Sequence, residues 1–252
     1  MRQPEIHARR TAKRRQTIAV VLCAGQGTRM GALQNKVFLP LAGKPVVVYS
    51  LEALQRAQSV GGILLVAHPN ELSYCRTEIV ARYKIRRVLG VISGGATRHQ
   101  SEERALDFLR PRIEGKEGSG IDVVVFHDGA RPFVTPDEID RLVGVARERG
   151  GALLGTRLEK WEIIARLRDD GSVGDILPSN ELWRAQTPQA FEARALLLAY
   201  DQARAAGFEG TDTAATYERL GHPVHMVEGS RDNIKMTTPK DLLRALTLLG
   251  NR

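Results

Sequence analysis

The segment Ala24-Gly25-Gln26-Gly27-Thr28-Arg29-Met30-Gly31 follows directly on an apolar run at 18–23, and its residue types suit the capture of an anion. Glycines just after a β-strand let the backbone approach a ligand closely and turn its N–H groups toward phosphate. A dinucleotide fingerprint requires Gly where Met30 stands, and a Walker loop requires Gly-Lys-Ser/Thr there, so both are excluded. By itself Gly-x-Gly more often marks a plain strand-to-helix turn than a phosphate site. Arg29 inside the turn and Lys36 shortly after it tip the balance. Two cations beside backbone donors match the dense negative charge of a triphosphate.

Such a loop needs a scaffold, and the rest of the chain predicts one. Short apolar runs at 18–23, 63–67, 87–92, 123–126 and 152–154 alternate with helix-length amphipathic segments at 46–58, 71–83, 97–109 and 136–149. That alternation predicts an α/β fold, a Rossmann-like and mostly parallel sheet flanked by helices. Pro136 after Thr135 marks a helix start, and Gly150-Gly151 marks its end. Further helices are predicted at 192–205, 212–220 and 239–249, with a strand at 224–227. Residues 158–182 break the rhythm: 163–167 and 172–177, joined through Asp170-Gly171, predict an inserted β-hairpin arm. A lone two-stranded ribbon is marginal in water, so a second subunit, and hence a homodimer through the arm, is expected to cover it.

Of the 252 residues, 42% are hydrophobic and 26% charged, enough for one large domain with a proper core. The formal charge of +8 is unevenly spread: residues 1–16 carry Arg2, Arg9, Arg10, Lys13, Arg14 and Arg15 against Glu5 alone, a surplus of +5 that leaves +3 for the remainder. The expected division is a basic disordered tail at 1–16 and one domain at 17–252 with its arm at about 158–182. A nearly balanced body does not call for nucleic acid as a partner, and any such role falls to the tail. No run approaches the roughly 20 apolar residues that span a bilayer, and the N-terminus lacks the apolar core of a secretory signal. Cys23 and Cys75 have no metal-ligand spacing and read as structural thiols in a reducing, cytoplasmic setting.

Five further motifs occur in order: Gly94-Gly95-Ala96-Thr97-Arg98-His99-Gln100-Ser101, His127-Asp128-Gly129-Ala130-Arg131-Pro132-Phe133, the run 182–191, Gly210-Thr211-Asp212, and the run 227–239 that contains Asn233-Ile234-Lys235-Met236. Together with the glycine loop and Leu39-Pro40-Leu41-Ala42-Gly43-Lys44-Pro45, they make the chain resemble the 2-C-methyl-D-erythritol 4-phosphate cytidylyltransferases over residues 17–250. The resemblance implies attack of the methylerythritol phosphate oxygen on the α-phosphorus of CTP, with Mg²⁺ as cofactor. It implies catalytic roles for Arg29, Lys36 and Lys235, and nucleotide contacts from Ala24, Gly25, Gly27, Thr28, Gly94, Gly95, Ser101 and Ala130. It assigns Asp128, Arg131, Arg166 and Thr211 to the acceptor side, with Asp128 also the metal ligand and Arg166 reaching from the arm into the neighbouring subunit.

Taken singly, these residues have ordinary alternatives. Asp128 suits a turn cap, Arg131 a surface ion pair, Lys235 a solvated lysine and Asp212 a helix N-cap. His127 reads as packing at a strand end, and Trp161 and Trp183 as interface or hinge packing. The chain also departs from the family pattern. Asn35 stands where Pro usually precedes the lysine, Val37 where Gln is usual, and Thr213 where a second acid is common; the run 161–166 keeps Arg166 but not its usual neighbours. Lys36 is therefore expected to be less rigidly presented. Ribitol 5-phosphate or another polyol phosphate remains open as acceptor, and so does a catalytically silent nucleotide-binding role.

Overall fold

Strand β1 (Gln16–Leu22) is buried along nearly its whole length, as a continuous apolar run in the middle of a parallel sheet must be. Ala19 and Val21 point into one core, and Ile18 and Val20 point into a second on the opposite face. The structure is a computed structural model that describes residues 16–25, 35–115, 120–159 and 161–250. Gly27, Thr28 and Arg29, and all but the last residue of the predicted basic tail, lie outside those residues.

After β1 come a two-residue ribbon, β2 (Pro40–Leu41) with β3 (Lys44–Pro45), and helix α1 (Val46–Arg56). Strand β4 (Val60–Ala67) leads to α2 (Leu72–Tyr74), which continues as a π-helix over Cys75–Ala81. The helix predicted at 71–83 is thus present but mostly wound wider than α. Next follow β5 (Val88–Ser93), α3 (Arg98–Ile113), β6 (Ile121–Asp128), α4 (Pro136–Arg149) and β7 (Gly151–Arg157). Thr135 and Glu138 close a capping box at the start of α4, and Gly150 ends it at φ 91°, a conformation that favours glycine. The arm consists of β8 (Ile164–Leu167) paired antiparallel with β9 (Val173–Leu177). Strand β10 (Trp183–Glu192), α5 (Ala193–Ala205), α6 (Thr213–Glu218), β11 (His225–Glu228) and α7 (Pro239–Gly250) complete the chain.

The main sheet has the order β11-β7-β10-β6-β1-β4-β5, with β10 antiparallel to both neighbours and every other pair parallel. The expected parallel layer is therefore present with one reversed strand. That strand escaped the periodicity because Arg184, Gln186, Pro188 and Gln189 interrupt its apolar pattern. Its pairing with β7 slips between Ala185 and Gln189, and within this irregular stretch Thr187 meets β6 while Gln186 meets Asn233 and Ser230. Helices α1, α4 and α7 contribute to the core on one face; α3, α5 and α6 contribute to the other. Among the described residues no helix is long and apolar enough to cross a membrane.

Candidate active site

Asp128 ends β6, at the carboxyl edge where open α/β sheets bind ligands. Its backbone N–H donates to Thr187 Oγ1 on β10 at 2.9 Å. Three cations surround the carboxylate: Lys235 Nζ at 2.8 Å and Arg131 Nε at 3.8 Å on Oδ2, and Arg98 Nε at 3.6 Å on Oδ1. Burial alone would raise this carboxyl's pKa; Lys235, Arg98 and Arg131 outweigh it and hold the group well below the usual carboxylate range. Asp128 is an ionised carboxylate at the centre of a cationic cluster.

A cavity of about 300 Å³ opens beside it. Cys23, Ala24 and Gly25 from the end of β1, Lys36, Gly95 to Arg98 and Ser101 at the start of α3, and Asp128, Ala130 and Lys235 line its walls. Thr97 caps α3 by accepting from Gln100 N–H, and Ser101 Oγ accepts from Gly95 N–H at 3.1 Å. Gly94 packs so closely that an added Cβ would fall 2.5 Å from Ala24 Cβ. It shapes the wall from behind without lining the cavity.

Lys36 opens a 3-10 turn, Lys36–Phe38, whose Val37 and Phe38 are buried. The buried Asn35 side chain donates to Cys23 O at 2.7 Å and to Glu71 Oε2 at 3.0 Å, while its Oδ1 accepts from Val37 N–H. The expectation of a loosely held Lys36 is not met. Two of these hydrogen bonds tie its turn to Cys23 just past β1 and to Glu71 before α2, the third closes the turn itself, and the Asn35 backbone at φ −57° and ψ 127° is one that proline also adopts.

The 229–238 loop that carries Lys235 is fastened by the fully buried Asn233, whose amide donates to Gln186 Oε1 and to Thr187 O. Arg131 Nη1 donates to Asn233 O at 2.8 Å, and Met236 N–H to Ala130 O. His127 is buried; its Nε2 faces Arg131 O and its Nδ1 faces Thr187 Oγ1. Burial pushes its pKa down to about 4, so the imidazole is neutral and structural, as its strand-end position suggested.

A second cavity of about 560 Å³ adjoins the first, with Lys235 lining both. Arg131, Arg157, Arg184, Arg231 and Arg244 give it a cationic wall, beside Glu159, Glu162 and Asn233. Thr211 is exposed and lines neither cavity. Asp212 beside it caps α6, so the N-cap alternative is the one observed. Arg166 also lies outside both cavities of its own chain; its side chain is 68% exposed on the arm, 3.8 Å from Asp175. Trp161 is 77% exposed at the arm's root, whereas Trp183 packs under the Arg157 guanidinium.

Sequence reasoning missed Arg98 and the partner that holds it, Glu102. The available signal was Glu102 itself, which interrupts an apolar stripe on α3 formed by Ala105, Leu106, Leu109 and Ile113. Arg98 Nη2 and Arg131 Nε are buried beside Asp128 without a hydrogen bond among the described residues. Donors of this kind suit anionic oxygens.

The fold and cleft define an α/β protein with a cation-lined cleft at the carboxyl edge of its sheet, the edge at which open sheets of this kind bind ligands. A model of the 2-C-methyl-D-erythritol 4-phosphate cytidylyltransferase family matches residues 17–251. Proteins of that name from Lysinibacillus sphaericus and Geobacter metallireducens are 40% and 41% identical, over 92% and 90% of this chain and 95% and 94% of theirs. The crystal structure of 4-diphosphocytidyl-2C-methyl-D-erythritol synthase from Anaerococcus prevotii shares the fold, with a TM-score of 0.78 and 23% identity over 94% of this chain and 96% of that one. The chain belongs to the 2-C-methyl-D-erythritol 4-phosphate cytidylyltransferase family.

Proposed function

We propose that the protein transfers the cytidylyl group of CTP to the phosphate of 2-C-methyl-D-erythritol 4-phosphate, yielding 4-diphosphocytidyl-2-C-methyl-D-erythritol and pyrophosphate. An acceptor phosphate oxygen forms a bond to the α-phosphorus as the bond to the bridging β-phosphate oxygen breaks. The acceptor is already a competent nucleophile, so the protein's work is to bring two polyanions together and neutralise developing charge. The observation that carries this reading is Lys235, paired with Asp128 and lining both cavities, in a chain of this family.

In this reading CTP fills the 300 Å³ cavity, with Ala24, Gly25, Gly95, Ser101 and Ala130 about the nucleoside and phosphates and Gly94 shaping the wall behind them. Gly27, Thr28 and Arg29 extend that contact on the strength of sequence alone. Lys36 and Lys235 stabilise charge at the α-phosphate, and Arg131 and Asp128 orient the acceptor in the larger cavity. Thr211 is the least supported of the acceptor residues, since it lines neither cavity.

Among the described residues no group of three or more His, Cys, Asp or Glu side chains is placed to cage a metal. The donor set nevertheless fits Mg²⁺ in its usual nucleotide mode, one ionised carboxylate plus substrate phosphates. Asp128 would hold it, and the ion would supply charge neutralisation on the triphosphate.

The arm extends the proposal to a homodimer. Ile163, Ile164, Leu167, Val173 and Ile176 are exposed on or beside its two strands, and Arg166 has no role in its own chain's cavities. A partner's arm would cover this apolar surface and deliver Arg166 to the acceptor. The division into a tail at 1–16 and a catalytic domain at 17–252 belongs to the same reading.

Pyrophosphate release from CTP, measured with methylerythritol 4-phosphate and with ribitol 5-phosphate, tests the activity. Turnover with the first is expected. Turnover with ribitol 5-phosphate alone would overturn the acceptor, and none with either would overturn the reaction.

A further inference from the structure

Glu102 is the one carboxylate buried on the apolar stripe of α3, and it sits one helical turn beyond Arg98. It accepts from Arg98 Nη1 at 2.5 Å, from Thr213 Oγ1 on α6 at 2.5 Å and from Tyr200 OH on α5 at 2.6 Å. Replacing a buried ion pair with apolar side chains is often neutral or stabilising, so this one is poorly explained by fold stability. Its geometry offers another explanation. Arg98 is the cation that meets Asp128 on Oδ1 from the nucleotide cavity, whereas Lys235 and Arg131 meet Oδ2.

We propose that Glu102 is a positioning residue for cytidylyl transfer: by holding Arg98 Nη1 it keeps the guanidinium from closing onto Asp128 or onto a substrate phosphate. An Arg98 released from Glu102 would be drawn in bidentate fashion to the nearest anionic oxygens, either masking the Asp128 carboxylate or trapping the triphosphate. Clamped, it meets Asp128 through Nε at 3.6 Å, with Nη2 making no hydrogen bond among the described residues. Thr213 and Tyr200 fix the carboxylate from two other helices, making α3, α5 and α6 one support for the end of β6. Thr213 stands where the family pattern leads one to expect an acid, and its Oγ1 lies 3.5 Å from Arg98 Nη1. In this chain the acid that pairs with Arg98 is Glu102 on α3.

The inference rests on the proposed function, and a mutant cycle separates the two. Glu102→Gln, Arg98→Met and the double variant are prepared in the full chain, with folding checked by thermal unfolding. Glu102→Gln is expected to lower kcat about tenfold or more, with little further loss once Arg98 is Met. The same cycle is read on the Kd for CTP, which needs no acceptor. If the wild type binds CTP but turns over no polyol phosphate, the proposed function fails and the binding cycle decides this inference. Moving the acid across, in Glu102→Gln/Thr213→Asp, is expected to recover most of the lost activity, which a purely structural role for Glu102 does not predict. If Glu102→Gln does not fold, Thr213→Val in the two Arg98 backgrounds replaces it in the cycle. Additive losses, or a folded double variant with Thr213→Asp no better than Glu102→Gln alone, overturn the proposal.

Discussion

The two cavities that meet at Lys235 are built from opposite kinds of material. The smaller one lies at the carboxyl ends of β1 and β6, and its charged groups oppose one another at fixed distances: Asp128 against Arg98, Arg131 and Lys235, and Glu102 against Arg98. The larger one draws on the arm's root and the outer strands, where Arg184 pairs with Glu162 and Arg231 with Glu159 on side chains that water reaches. Buried pairs are strongly penalised when one partner is lost, while exposed pairs contribute little. The smaller cavity is thus preorganised by the core, and the larger one is bounded by surface pairs that, in the proposed reading, an acceptor anion displaces.

The largest expected effect lies where the cavities join. Lys235→Ala should lower kcat by about 10²–10³-fold, because it removes the nearest counterion of Asp128 and, in the proposed reading, a charge beside the α-phosphate. Undiminished turnover would break the view that one cation serves both sides.

The buried side should also be the acid-sensitive one. His127 is held near pKa 4 against 6.5 unfolded, so the unfolded chain binds the extra proton first as pH falls. Stability from this group is complete above pH 6.5, is lost as pH falls toward 4, and amounts to about 3 kcal/mol in total. Denaturant titrations at pH 7 and 5 should differ by about 2 kcal/mol, and His127→Gln should flatten that part of the profile. Asp128 acts in the same direction at lower pH: its depressed pKa stabilises the fold above the ordinary carboxylate range, and that contribution is lost on acidification below it.

A smaller effect is expected at Asn35. Asn35→Ala leaves Cys23 O without its amide donor and should cost about 1–3 kcal/mol of stability, with a fall in kcat through Lys36. Asn35→Pro fits the backbone but not the hydrogen bonds and should behave like Ala; wild-type kinetics in the proline variant would show that a rigid backbone suffices.

The least change in the folded chain should follow Arg166→Ala, which alters an exposed group on the arm and should shift stability by within about 0.5 kcal/mol. CTP affinity should be preserved while turnover falls. Mixing Arg166→Ala with Lys235→Ala chains should restore part of the activity if the arm serves its partner's site. Lack of recovery in a mixed dimer would confine Arg166 to its own chain.

The parts that could be read in advance share a property: their signals are local. The apolar run of β1, the Thr135 to Gly150 bounds of α4 and the Asp-Gly turn of the arm each fall within a few to some fifteen residues. Lys36, Asp128, Arg131 and Lys235 were legible as a set because their motifs recur in order, and the fold brings Asp128, Arg131 and Lys235 into contact. Arg98 and Glu102 were missed because a buried charge on a helix is recognised only once its partners on α5, α6 and β6 are known. Strand β10 was missed because its polar residues mark a strand that turns toward the site, not one that follows simple alternation.

Sequence alone therefore determined the layered α/β architecture, the inserted hairpin and the family of the chain, since periodicity and short motifs act over neighbouring residues. Only the tertiary structure decided that Asp128 is ionised within three cations, that Asn35 holds the turn of Lys36, and that Glu102 clamps Arg98. Those outcomes depend on burial and on charges drawn from distant segments, and neither quantity exists until the chain has folded.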